Sequence, residues 1–335
     1  MGQRANLIVK SEGKVEIYYT HHRANTLDKD LFWGPQYALG FIRSQQKLTN
    51  EELLDEIWAE GGAVMDCDQK KLLWFGGEDV TSDVPLRRVH QSLMRHLWAG
   101  WQIEWAYEGV ADIARETGRS NGEVLCDRAF DPLNLEQIFH PKHPLTTVIT
   151  LQVMDQVASI KFPYQVGHLA MQGPALAEKL QRAEDQWRLW DGNCTWFPSG
   201  GLYIDISRCE LSMWTASYFP LAVQRLTGLW QGWSIRWLKD GFEYQKDRAG
   251  ATVVFPNLDE DQLIGARRAT LLRPEVNDSG ADMTVQIAEM LSAEKGIRSI
   301  NVNPLALQDA QLHLPLQLRT QLFDEAARSL RERSK

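Results

Sequence analysis

An α+β fold is predicted from this sequence by three observations. A stretch beginning at Gly61 occurs twice in the chain. Each copy passes from short apolar runs around turn residues into a helical period, then into an alternating strand. The chain then closes on an amphipathic helical stripe. These features predict mainly antiparallel sheets covered by helices, in two related halves with a C-terminal helical segment.

The repeat is read directly from the residues. Gly61-Gly62-Ala63-Val64-Met65-Asp66 returns as Gly200-Gly201-Leu202-Tyr203-Ile204-Asp205, 139 positions later, and Leu72 and Leu211 keep that spacing. Pro85-Leu86 matches Pro220-Leu221 at 135. Leu97-Trp98-Ala99-Gly100-Trp101-Gln102-Ile103-Glu104-Trp105 matches Leu229-Trp230-Gln231-Gly232-Trp233-Ser234-Ile235-Arg236-Trp237 at 132. Gly34-Pro35 and Gly173-Pro174 are again 139 apart, each before a helix-like run. Motifs recurring in one order imply a tandem duplication of a strand-strand-helix-(strand) unit.

In each copy the elements follow from local chemistry. Ala63–Asp66 and Lys71–Phe75 flank the polar turn Cys67-Asp68-Gln69-Lys70, a hairpin pattern. Apolar residues at 86, 89, 93 and 97 give the helical spacing of Val84–Trp98, and Gly100 fits the left-handed position past a helix end. Trp101, Ile103 and Trp105 alternate with Gln102 and Glu104, a strand whose indoles pack a core. Ahead of the repeat, Asn6–Lys10 and Val15–Thr20 read as strands around Ser11-Glu12-Gly13. Gly34-Pro35 opens a helix to Gln46, and the capping-box pattern Thr49-x-x-Glu52 predicts another carrying Leu53, Leu54 and Ile57. Val110–Thr117 is a short helix.

Residues 119–144 are irregular and hold the boundary between halves. The second half opens with strands at Thr146–Val153 and Val157–Phe162. A helix follows from Gly173-Pro174 through Trp187, then a turn at Asp191-Gly192-Asn193. Beyond Trp237 the chain reads as outside the duplication. It carries a strand at Thr252–Phe255 and helices near Asp259–Ala269, Met283–Ala293 and Gln317–Arg333. The domain reading is 1–143, 144–255 and a helical segment 256–335 packed on the body.

Composition restricts the function classes. The 335 residues carry a formal net charge of −8 and are 44% hydrophobic, with 13 Trp. That charge argues against a broad nucleic-acid-binding surface. No apolar run approaches the ~20 residues of a membrane span, and Met1-Gly2-Gln3-Arg4 leads straight into a strand without a signal-peptide pattern. The four cysteines have neither C-x-x-C nor zinc-finger spacing, and the expectation is a cytoplasmic protein with reduced thiols.

The main candidate site is Thr20-His21-His22-Arg23-Ala24-Asn25, at a strand end where functional loops concentrate. His21 or His22 would serve as general base, Arg23 would hold an anion and Asn25 would assist. Carried forward by 139, the cluster falls on Ile160-Lys161-Phe162-Pro163, so only the first copy has it. Asp66, with Asp68, would complete the site, although the recurrence of Asp66 as Asp205 favours a turn-capping role. His140-x-x-His143 and the pair His90/His96 lack the ligands a metal site needs, and no phosphate loop or cofactor fingerprint is present. No cofactor and no metal are expected.

Two functions are compatible with this reading. The first is a protein-binding protein of the immunity, antitoxin or adaptor kind, whose acidic surface captures a basic partner. The second is a hydrolase or transferase using His21, His22, Arg23, Asn25 and Asp66.

Overall fold

The chain first reverses at Glu12 and Gly13, whose φ angles of 53° and 70° suit a tight hairpin turn. The turn sets β1 (Ala5–Ser11) antiparallel to β2 (Lys14–Thr20), with Ala5 opposite Thr20. This computed structural model describes residues 3–49, 52–126, 146–182, 194, 196–273, 285, 290 and 314–333. The described residues group into two compact units. One draws on residues 1–81, 85–126 and 259–335, the other on 82–84 and 127–258.

In the first unit β2 leads into α1 (Leu27–Asp30), α2 (Pro35–Ser44) and the short β3 (Gln46–Lys47). The hairpin β4 (Gly61–Asp66) and β5 (Lys71–Phe75) follows. Then come α3 (Glu78–Thr81), α4 (Val84–Leu97), β6 (Gln102–Trp105) and α5 (Val110–Glu116). The sheet order is β3-β2-β1-β4-β5-β6. The hairpins are antiparallel, but β1 and β4 pair in parallel, as do β5 and β6. Helical crossovers make those joins, and a crossover returns the chain in the same direction. The α+β class stands, with mixed sheets.

The second unit repeats this plan. β7 (Thr147–Val153) and β8 (Gln156–Phe162) form a hairpin, and α6 (Val166–Ala170) and α7 (Pro174–Arg182) follow. β9 (Gly200–Asp205) and β10 (Glu210–Thr215) form the next hairpin. α8 (Ala222–Leu229), β11 (Ser234–Trp237) and α9 (Glu243–Ala249) complete the unit. The order is β11-β10-β9-β7-β8, with the same alternation of parallel and antiparallel pairs.

Equivalent bonds fix the correspondence residue by residue. The Trp98 indole N–H donates to the Leu31 carbonyl at 3.1 Å, and that of Trp230 to the Ala170 carbonyl at 2.8 Å. Trp98 meets Trp101 edge-on at 5.2 Å, and Trp230 meets Trp233 at 4.9 Å. Asp66 accepts from the Asp68 and Gln69 amides, and Asp205 from the Arg208 amide. Gly100 and Gly232 hold φ of 79° and 82°.

The correspondence corrects two expectations. Ala5 pairs with both Thr20 and Gly61, as Thr147 pairs with both Phe162 and Gly200. The first hairpin is thus offset by 142, not 139. His21, His22 and Arg23 lie opposite Pro163, Tyr164 and Gln165, not Ile160–Phe162. The duplication also runs past Trp237. α5 and α9 are equivalent, and they end at Gly118 and Gly250, whose φ angles are 75° and 53°.

α5 and α9 explain the paired glycines. A Cβ on Gly62 would stand 2.8 Å from the Phe75 ring and 3.2 Å from Ile113. A Cβ on Gly201 would stand 1.9 Å from Gln245 and 2.4 Å from Trp214. Ile113 and Gln245 are equivalent, as are Phe75 and Trp214. In both copies the helix and the next strand press on a backbone that has no room for a side chain.

The helix predicted from Thr49 does not form among the described residues. The Asn6 side chain holds this segment open: its Nδ2 donates to the Leu54 carbonyl at 3.0 Å and its Oδ1 accepts from the Leu54 amide at 2.9 Å. Asp55 then caps the Ile57 and Trp58 amides in a tight turn. These side-chain bonds satisfy the backbone in place of a helical ladder. Of the strand predicted at Thr252–Phe255, the described residues show only a single bridge residue, Val254. Gly250–Thr252 form a 3₁₀ turn, and the Val254 carbonyl accepts one amide, from Cys194.

α10 (Glu260–Leu271), capped by Asp259, and α11 (Leu316–Arg333) form where expected. Of the helix near Met283–Ala293 only Val285 and Met290 are described, and both are helical. The turn at Asp191–Asn193, the end of the helix toward Trp187, and His140 and His143 lie outside the described residues. Among the described residues no helix is long and apolar enough to cross a membrane.

Candidate functional site

The histidine cluster follows the end of β2, beside Arg4. His21 is buried, with 8% of its surface exposed, and its Nδ1 meets the Tyr19 hydroxyl at 2.5 Å. The His22 ring stands edge-on to it at 4.7 Å. Burial carries the His21 pKa down to about 4, and the charges of His22 and Arg4 push the same way. His21 is therefore neutral at pH 7. Arg23 and Asn25 flank the start of a 3₁₀ turn, Ala24–Thr26, where Arg23 donates to the Thr26 hydroxyl at 3.5 Å.

Asp66 does not join them. Its strand neighbour is Lys10, whereas the histidines follow the β2 end that pairs with Ala5 and Gly61. Five residues of strand separate those ends, roughly 16 Å at ~3.3 Å per residue. Asp66 is instead a turn cap, with Lys10 Nζ 2.7 Å from its carboxylate. Burial alone would raise its pKa, but Lys10 and the turn amides together hold it below the usual value. Asp68 accepts from the Glu12 and Gly13 amides and so ties the two hairpin turns together.

A second polar cluster brings together residues that no sequence motif joins. Asp28 and Arg267 are buried and paired at 2.7 Å, and Asp79 stands 3.4 Å from the same guanidinium. Burial pushes the Asp28 carboxyl up against the pull of Arg267. His90, fully buried beside Phe32 and Trp74, has its pKa driven well below the usual value by burial, with Arg267 adding to the shift. Among the described residues neither His90 ring nitrogen has a hydrogen-bond partner. Arg87 is equally buried, its guanidinium 4.5 Å from the Trp105 ring centre.

One signal could have found this cluster. The offset falls from 142 to 139 between Ala24 and Leu31, so the segment carrying Asp28 is three residues longer than its counterpart. Opposite His90, counted back from the shared tryptophan, stands Ala222, and opposite Trp74 stands Met213. The second copy fills the same places with an apolar core.

The segment held by Asn6 forms an exposed knuckle. Trp58 is 52% exposed and Ile57 39%. The Arg4 guanidinium lies 4.7 Å above the Trp58 ring centre. Glu52, Asp55, Glu56 and Glu60 surround the pair in sequence, with Glu52 and Glu60 exposed. Among the described residues no group of three His, Cys, Asp or Glu side chains is placed to hold a metal ion. The chain matches no protein-family model, no curated protein and no solved structure.

Proposed function

We propose that the chain is a binding protein of the immunity, antitoxin or adaptor kind that captures a basic partner. The state of His21 carries this reading against an enzyme. One of the two candidate bases, His21, is buried, bonded to Tyr19 and weakly basic at a pKa of about 4. A general base works best with a pKa near the operating pH, so His21 is poorly matched to proton abstraction at neutrality. The formal charge of −8 favours encounter with a basic surface, an attraction that salt screens.

The test is affinity purification of the tagged full chain from its host at 50 mM and 500 mM salt. A basic protein recovered one-to-one at low salt and depleted at high salt is the expected result. Recovery of no stoichiometric protein would overturn the reading. So would a hydrolase or transferase activity abolished by His21→Asn.

A further inference from the structure

Trp58 stands where the second copy has Phe197, three residues before the paired glycines in each case. The alignment is fixed one residue from the glycines, because the Glu60 amide donates to the Arg4 carbonyl as the Ser199 amide donates to that of Thr146. In the second copy the ring is partly buried against other aromatics. Phe242 meets Phe197 edge-on at 4.9 Å, Phe255 lies at 5.7 Å and Trp214 at 6.4 Å. The residue equivalent to Phe242 is Val110, which is buried and makes no ring. The larger aromatic of the first copy is thus left half exposed, with a guanidinium in place of phenylalanines.

We infer that the Ile57–Trp58 knuckle docks an arginine-bearing basic segment of the partner. The inference rests on the binding-protein reading and names the face and its chemistry. An indole face attracts a guanidinium through its quadrupole, more strongly when a partner removes water from the contact. Arg4 already occupies one such position within the chain. Glu52 and Glu60, exposed close by in the sequence, supply the opposite charge, whereas Asp55 and Glu56 already accept from backbone amides. Tryptophan is among the residues that most often anchor binding hot spots, and exposed carboxylates nearby in the chain favour a cationic partner.

The experiment is fluorescence anisotropy on the full-length chain at 50 mM salt. Three labelled nonapeptides of equal length, carrying three Arg, three Lys or three Glu, are the probes. The expected order is Arg tighter than Lys, with no binding of the Glu peptide. Trp58→Ala should weaken the Arg peptide about fivefold or more at unchanged Tm, and Glu60→Lys by about threefold. Arg4→Ala should strengthen it, because the internal competitor for the ring is gone. Binding unchanged in Trp58→Ala, or weakened in Arg4→Ala, overturns the inference, as does failure of the native chain to bind the Arg peptide.

Repeating the host purification with Trp58→Ala separates the two claims. A partner retained equally by both chains leaves the binding function standing and removes this face. A partner lost with Trp58→Ala supports both.

Discussion

The two copies share a backbone plan and differ in where they bury polarity. In the first, the buried Asp28–Arg267 pair, reached by Asp79, accompanies a buried His90 that is neutral at pH 7 and set beside Phe32 and Trp74. The second keeps those places apolar and puts a neutral network beneath the following helix. There the Gln245 amide accepts from the Trp214 indole at 2.6 Å and donates to the Val148 and Leu202 carbonyls and the Thr150 hydroxyl. The first copy has Ile113 and Phe75 at those two positions. One scaffold therefore holds polar groups in either of two layers: the Gln245 network is hydrogen-bonded, whereas the His90 ring nitrogens have no hydrogen-bond partner among the described residues. The difference also reaches the surface, where Phe197 packs partly buried among phenylalanines and Trp58 is 52% exposed.

The largest effect should come from splitting the buried ion pair. Asp28→Ala leaves the buried Arg267 only the more exposed Asp79, and Arg267→Ala takes the cation from the buried Asp28, so each should cost about 3–5 kcal/mol in denaturant unfolding. Replacing both by leucine should recover much of that loss. Equal losses in the single and double variants would show that the pair is not the source.

Gln245→Ile places the first copy's residue in the second copy. It strands the Trp214 indole N–H, at a cost of about 1–3 kcal/mol. Adding Trp214→Phe restores the first copy's pair and should return part of the stability. A double-mutant cycle reads this coupling directly. Additive losses would mean that the two cores are not interchangeable in this sense.

The smallest effect concerns pH. His21 is held neutral when folded, with a pKa near 4 against 6.5 when unfolded. Between those values the unfolded chain binds more protons, so stability falls as pH drops from about 6.5 toward 4. His90 adds in the same direction. His21→Asn should flatten the slope of unfolding free energy against pH in that window. An unchanged slope would place His21 in a more hydrated state than its burial implies.

The repeated parts were legible in the sequence because duplication doubles each signal. Gly-Gly-x-x-x-Asp and the tryptophan strand recur, and each marks a hairpin or a helix end whose chemistry is local. The segment after Thr49 was misread because its capping pattern is also local. The Asn6 side chain that holds it open comes from a strand 48 residues away. Of the candidate site, His21 and His22 do adjoin, since they are neighbours in the chain. Asp66 does not join them, because strand pairing sets it at the far end of the sheet. Arg267 could not be matched to Asp28 by spacing, since 239 residues separate them.

Anisotropy titrations comparing Trp58→Ala with Trp196→Ala bear on the central claim most directly. Trp196 is 77% exposed at the position equivalent to Ile57, so it is the second copy's own exposed aromatic. If the copies have diverged in surface as in core, Trp58→Ala alone weakens the arginine peptide, and Trp196→Ala leaves its affinity within twofold. Equal losses from both variants, or a loss from Trp196→Ala alone, would contradict a binding face confined to the first copy.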